Sequence, residues 1–276
     1  MNNGIKSICM VIGDPVSHSL GPLVHNAAYK ALGIDDKFVY TAARVQQGDL
    51  SDAMKGVRVL GIRSLSCTLP LKHLVLQYLD EIDEEAKEIG AVNTVILEDG
   101  KLKGYNTDID GVVQPFLKRT TLRDKKVLVL GAGGAARSAV FGFFKEGAKV
   151  TLTNRSFEKG EKLATEIGVD FFAWEERAAR SPEYDLIFNA TSLGFDGNTL
   201  SALDKSAFRK GQIVSDAVYN PYQTPFLQNA ASAGAEIIYG TEMFIEQAAK
   251  QILLYAGLEP PRGVMEQALM EVLCKR

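Results

Sequence analysis

The run KKVLVLGAGGAARSAVFGFFKEG, residues 125–147, constrains the fold of this chain more than any other stretch. A short apolar strand passes through Gly131, Gly133 and Gly134 directly into a helix with apolar periodicity. In that setting Gly131 permits the tight turn, Gly133 lets the backbone approach a pyrophosphate, and Ala136 is the third small residue where helix meets strand. The helix N-terminus then presents free N–H groups to negative charge. Glycines that merely turn a βα loop are the competing reading, and the strand before and helix after them weigh against it. Further strand candidates follow, KVTLT, VDFFA, DLIFNA, QIVSDAV and AEIIYG, with helical stretches between. Parallel strands in that rhythm predict a doubly wound dinucleotide-binding domain.

The preceding residues show their own alternation, from ICMVIG and PLVHNAAYKALG to GIRSLSC and the helix-like PLKHLVLQYLD. The rhythm breaks at AVNTVILEDGKLKGYNTD, where Asp99-Gly100 between two extended runs predicts a hairpin. The polar stretch KRTTLRDKK resembles a linker, and a domain boundary is expected near it. Two helical patterns, about 242–256 and 262–274, close the chain without strands between them, so they must pack on an existing layer. The fold class expected is therefore α/β with two domains, which suits a chain of 276 residues.

Composition removes several classes of function. With 31 basic and 34 acidic residues and no block of like charge, neither nucleic acid nor a membrane surface is an expected partner. No apolar stretch approaches the roughly 20 residues of a membrane span, and the first apolar run is too short for a signal peptide, so the cytoplasm is the expected compartment. Cys9, Cys67 and Cys274 are widely spaced, which suggests neither disulfides nor a metal site, and His18, His25 and His73 form no ligand cluster.

Where an NAD site would place an acidic residue about 20 positions beyond Gly131, this chain has Asn154, Arg155 and Ser156, with Lys159 a turn later. A guanidinium pairs well with phosphate oxygens, so NADP is expected rather than NAD. Asn189, Ala190, Thr191 and Ser192 follow the strand DLIF, at the sheet edge where such folds bind ligands; a simple polar turn is the alternative.

Polar clusters also punctuate the other half: Ser17-His18-Ser19, Thr68 to Lys72, Asn93-Thr94 and Asn106-Thr107-Asp108. If the apolar runs before them are neighbouring strands, their ends converge on a cleft suited to a small polyhydroxylated acid. Taken with these, the ordered pieces GDPVSHSLGPLVHN, TLPLK, GAVNTV, GYNTDIDG, GAGGAARSA, NRS, NATSLG, DAVYNPYQTP and MFIEQAA make the chain resemble the shikimate dehydrogenase family nearly end to end.

That resemblance implies reversible reduction of 3-dehydroshikimate with NADPH. It implies a substrate domain of residues 1–111 plus 240–276, hinged to a Rossmann NADP-binding domain of residues 112–239. Carried over by motif, Lys72 and Asp108 are the catalytic pair, Ser17 and Ser19 bind the substrate carboxylate with Tyr219 nearby, and Thr68, Asn93 and Gln247 hold other substrate oxygens. Gly131, Gly133, Gly134 and Ala135 match the pyrophosphate loop; Asn154, Arg155, Ser156 and Lys159 match the 2′-phosphate site; Thr191 borders the nicotinamide half. No metal is implied, and the expected state is a monomer or homodimer.

The chemistry supports Lys72 independently, because hydride arriving at a ketone leaves an alkoxide that a positioned ammonium stabilises and protonates. A surface lysine, and for Asp108 a helix cap, are the plain structural alternatives. Two positions depart from the family pattern: Ser66, a substrate-binding candidate, stands where an Asn is expected, and Gly21 stands where a Ser is usual. Ser66 is shorter than an amide, which leaves quinate or another cyclic hydroxy acid as an alternative substrate. A regulatory protein that binds NADP without turnover is the non-enzyme alternative, and the retained Lys72 and Asp108 argue against it.

Overall fold

The computed structural model describes residues 5–195 and 197–274. The chain divides into two compact units, one of residues 1–107 with 247–272, the other of residues 108–246 with 273–276.

The first unit contains β1 (Ser7–Gly13), α1 (Gly21–Ala31), β2 (Phe38–Arg44), α2 (Leu50–Leu60), β3 (Ser64–Cys67), β4 (Glu81–Ile82), α3 (Glu84–Ile89), β5 (Thr94–Glu98) and β6 (Lys101–Tyr105). Its sheet runs β2-β1-β3-β5-β6-β4 and is mixed: β1 pairs in parallel with β2 and β3, whereas β5 is antiparallel to both β3 and β6. The expected hairpin joins β5 and β6, and there Asp99 and Gly100 have φ of 50° and 77°. Both values lie in the left-handed region that a two-residue turn needs to match strand twist. Ile12, Leu65, Val95 and Leu102 from four strands pack with Leu50, Met54 and Val57 of α2 as one core.

One expected helix is absent. Residues 70–80 form only a short 3-10 turn at Leu74–Tyr78. The reason is visible in the backbone: the Lys72 carbonyl accepts from Val92 N at 2.9 Å, so it is engaged by the neighbouring loop rather than by the next helical turn.

The second unit comprises α4 (Asp108–Leu117), β7 (Lys126–Leu130), α5 (Gly134–Lys145), β8 (Lys149–Asn154), α6 (Phe157–Ile167), β9 (Asp170–Ala173), α7 (Arg177–Arg180), β10 (Leu186–Asn189), β11 (Ile213–Asp216), α8 (Pro225–Ser232) and β12 (Glu236–Ile238). All the strand candidates of this half form one parallel sheet in the order β12-β11-β10-β7-β8-β9, the doubly wound arrangement. Its central strands read as unbroken apolar runs because parallel sheets bury both faces. Leu128, Leu130, Ile187 and Val214 pack with Phe226 and Leu227 of α8, while Phe116, Phe143 and Phe188 stack edge to face.

The closing helices are α9 (Gly240–Ala256) and α10 (Arg262–Leu273), separated by Gly257 and Pro260-Pro261 as expected. Residues 247–272 belong to the first unit. No helix among the described residues is long and apolar enough to cross a membrane.

Candidate active site

In the second unit the glycine turn is built for close approach. Gly131 has φ +112°, and a Cβ there would stand 3.0 Å from the Ala190 carbonyl oxygen, so only glycine lets β7 turn beside the end of β10. At Gly133 an added Cβ would meet no atom within 4 Å. That open space at the N-terminus of α5, with Gly134 and Ala135 as its first residues, leaves the free N–H groups accessible to an anion. Ala136 is fully buried where the helix meets the sheet.

A groove of about 320 Å³ lies over this turn. Gly131 and Gly133 line it, with Asn154 and Arg155 from the end of β8, Trp174 beyond β9, and residues 190–193 beyond β10. Of the expected cofactor residues it gathers Gly131, Gly133, Asn154, Arg155 and Thr191. Arg155 is exposed, whereas the Asn154 amide donates to the Ser156 carbonyl at 2.8 Å and shapes the turn into α6. Ser156 is the residue preceding α6 and Lys159 lies exposed on its first turn; neither lines the groove. The lining holds one guanidinium and no carboxylate, which fits a dinucleotide carrying an extra phosphate. Trp174 escaped the sequence reading; its position just past β9 at the sheet's carboxyl edge was the available signal.

The strand-end turn at 190–193 is anchored from below. Asn189 Oδ1 accepts from Thr191 N at 3.1 Å and Thr191 Oγ1 at 2.8 Å. Asn189 Nδ2 donates to Asp216, whose carboxylate also accepts from Val218 N at 3.0 Å and Thr224 Oγ1 at 2.6 Å. Burial pushes the Asp216 carboxyl up to about 7, the three donors holding it lower than burial alone would. Also in this unit, Tyr219 stacks on Phe244 with ring centroids 4.6 Å apart. Asp108 is the first residue of α4 and is buried.

In the first unit the polar candidates collect where several strands end. Thr68 N donates to Ile12 O at 2.9 Å and Cys67 N to Asn93 O at 2.7 Å, tying the end of β3 both to the end of β1 and to the residue before β5. The Lys72 to Val92 bond described above pins the backbone beneath the Lys72 side chain, which is half-buried. Asn93 is buried, accepts from Thr107 N and Thr94 Oγ1 at 2.8 Å each, and donates to Thr107 Oγ1 at 3.0 Å. Ser17 is exposed; Ser19 Oγ accepts from Gly21 N at 3.2 Å, which shapes the entry to α1.

Ser66 is more engaged than its sequence suggests. Its hydroxyl accepts from Tyr40 Oη at 2.5 Å and donates to Gln251 Oε1 at 2.6 Å. Gln251 Nε2 in turn donates to Gln247 Oε1 at 2.9 Å and to Thr107 Oγ1 at 3.4 Å. Sequence reading missed both Tyr40 and Gln251; for Gln251 the clue was its spacing of four from Gln247, which puts both on one helical face.

Comparison with known proteins matches both units. Residues 11–95 fit the family described as shikimate dehydrogenase substrate binding domain, residues 116–194 the family shikimate / quinate 5-dehydrogenase, and residues 240–270 the shikimate 5'-dehydrogenase C-terminal domain. Among relatives, the shikimate dehydrogenase (NADP(+)) of Geobacillus kaustophilus is 41% identical over 277 residues, covering 98% of this chain and 99% of its own. That of Nitrosopumilus maritimus is 40% identical over 267 residues, covering 94% and 97%. The crystal structure of the Thermus thermophilus shikimate 5-dehydrogenase in complex with NADP(H) and shikimate superposes with a TM-score of 0.90 at 35% identity, covering 97% of this chain and 100% of that one.

Proposed function

The chain belongs to the shikimate dehydrogenase family, and from that premise we propose that it interconverts shikimate and 3-dehydroshikimate with NADP as the cofactor. One observation carries the reading: kinship extends over both the unit with the cluster of hydroxyl and amide side chains and the unit with the arginine-bearing dinucleotide groove.

We assign the cofactor to the groove. The turn at Gly131 and Gly133 and the start of α5, with Gly134 and Ala135, would hold its pyrophosphate. Arg155, with Asn154, Ser156 and Lys159, would hold the ribose phosphate, and Thr191 would border the nicotinamide half. When bound, NADP accepts hydride from the substrate carbon, or NADPH supplies it in reverse. Ser17 and Ser19, with Tyr219, are assigned to the substrate carboxylate, and Thr68, Asn93 and Gln247 to its hydroxyl oxygens. Lys72 serves at the reacting oxygen, receiving its proton as the alcohol is oxidised and returning it as the ketone is reduced. Asp108, the residue after the Asn93-bonded Thr107, is assigned to orient the Lys72 ammonium and accept from the substrate hydroxyl. We place the protein in the cytoplasm, as a monomer or homodimer.

Mixing the full chain with shikimate and NADP and following NADPH absorbance tests the reading, with quinate and NAD in parallel. NADPH formation with shikimate is the expected result. Turnover of quinate alone would move the substrate to the alternative, to which the limited reach of Ser66 gives physical grounds. Inertness toward both acids would overturn the proposal.

A further inference from the structure

Tyr40, Ser66, Gln251 and Gln247 form a chain of hydrogen bonds that runs in one direction. The Tyr40 hydroxyl donates to Ser66 Oγ, the Ser66 hydroxyl to Gln251 Oε1, and Gln251 Nε2 to Gln247 Oε1. The starting point is rigid. The Tyr40 ring stacks on buried His25 at 3.9 Å between centroids, and its backbone N–H and carbonyl are both held by the Asn26 amide. Burial keeps the phenol protonated and His25 neutral, so neither carries charge that would reverse the chain. Gly21 also borders Tyr40: a Cβ there would lie 3.4 Å from Tyr40 Cε1 and 3.3 Å from Ser19 Oγ. Both departures from the family pattern noted in the sequence, Ser66 and Gly21, thus touch one phenol.

We propose that Gln251 is a positioning residue for the substrate site, fixing the Gln247 amide so that its donor end, Nε2, rather than its carbonyl, is the end turned away from the chain. The inference rests on the functional reading above, in which Gln247 contacts substrate. An amide has two chemically opposite ends, and the neighbour that donates to its oxygen decides which end faces elsewhere. Gln251 is 2% exposed, so its bonds to Ser66 and Gln247 are not replaced by bulk water. The ligand chemistry selected is an acceptor: a hydroxyl, carbonyl or carboxylate oxygen of the cyclic acid. Ser66 then acts through Gln251.

Ser66→Ala, Ser66→Thr, Gln251→Met and the Ser66→Ala/Gln251→Met double variant of the full chain provide the test. KM for shikimate at saturating NADP should rise roughly 5- to 15-fold in Ser66→Ala and in Gln251→Met, with kcat within about twofold of wild type. Ser66→Thr, which keeps the hydroxyl, should bring KM back toward wild type. The double variant should resemble a single one rather than multiply their effects, as expected of members of one chain. Calorimetric titration of shikimate into the cofactor-free protein should weaken by the same factor as KM. Unchanged KM and binding in both single variants, with shikimate still turned over by wild type, would overturn the positioning role alone, whatever happens to melting temperature. Multiplicative losses in the double variant, or no rescue by threonine, would also overturn it. Wild type inert toward shikimate would instead remove the functional reading on which it stands.

Discussion

Asn189 and Asp216 sit opposite each other at the ends of adjacent parallel strands, with Asn189 Nδ2 donating to Asp216 Oδ1 at 3.0 Å and both side chains fully buried. The same Asn189 holds the turn at Thr191, so a buried carboxyl underlies one wall of the dinucleotide groove.

Burial raises the Asp216 carboxyl from 3.8 to about 7 in the folded protein. Between those values the native state holds a proton that the unfolded chain has lost, so this group's contribution to stability falls as pH rises through that window and is level above it. Other carboxylates, such as Asp80, held by the Leu102 N–H and then by Arg58, are shifted down and act in the opposite sense at lower pH. Urea unfolding from pH 4 to 8 should therefore show the Asp216→Asn variant gaining relative to wild type as pH rises, by at most about 4 kcal/mol. A constant difference across the range would mean Asp216 does not titrate there.

Arg155→Ala should weaken NADP roughly 10- to 150-fold and barely change NAD, since a charge-assisted hydrogen bond to phosphate is worth about 1.5 to 3 kcal/mol. Dissociation constants for both dinucleotides decide it. Equal losses would show that Arg155 acts on something the two cofactors share.

Trp174 is the sole tryptophan of the chain and lines the groove, with the Arg177 guanidinium 4.2 Å from its ring. Titrating NADP should change its emission in a saturable manner that follows the dissociation constant, and Arg155→Ala should shift that curve to higher concentration. Emission indifferent to cofactor would place the dinucleotide away from this wall.

Lys72→Ala should lower kcat about 100- to 10,000-fold while NADP affinity stays near wild type, the signature of lost proton transfer. A raised KM with turnover intact would make Lys72 a binding residue.

Read from sequence alone, Ser66→Asn should improve the enzyme by restoring a longer amide. The structure reverses that sign. The Ser66 hydroxyl has partners at 2.5 and 2.6 Å, so an amide reaching beyond the hydroxyl's position must displace Gln251 or Tyr40, whereas threonine keeps a hydroxyl there; overpacking by the amide costs about 1–3 kcal/mol. Catalytic efficiency with shikimate should fall in Ser66→Asn and partly recover in Ser66→Asn/Gln251→Ala, where the space is vacated. Steady-state kinetics of the two variants check this.

What the sequence disclosed is what short-range chemistry specifies. The glycine turn after β7, the hairpin at Asp99-Gly100 and the strands of the parallel sheet are each encoded within a few neighbouring residues. The Tyr40, Ser66 and Gln251 chain was not legible, because its links join residues 26 and 185 positions apart and each side chain alone reads as ordinary packing. The missing helix at residues 70–80 has the same origin, since its apolar spacing is local but the Lys72 carbonyl is bonded by Val92, far along the chain.

Contacts around Tyr40 also bear on how such a site can drift over evolutionary time. Gly21 leaves room beside the ring, Ser66 accepts its hydrogen bond, and Gln251 accepts that of Ser66. Loss of the hydroxyl at 66 or of the amide at 251 leaves a donor without its acceptor, and a side chain at 21 comes within 3.4 Å of the ring, so changes at these positions are expected to travel together. In an alignment, positions 21, 40, 66 and 251 should covary as a block while the glycine turn varies independently of them.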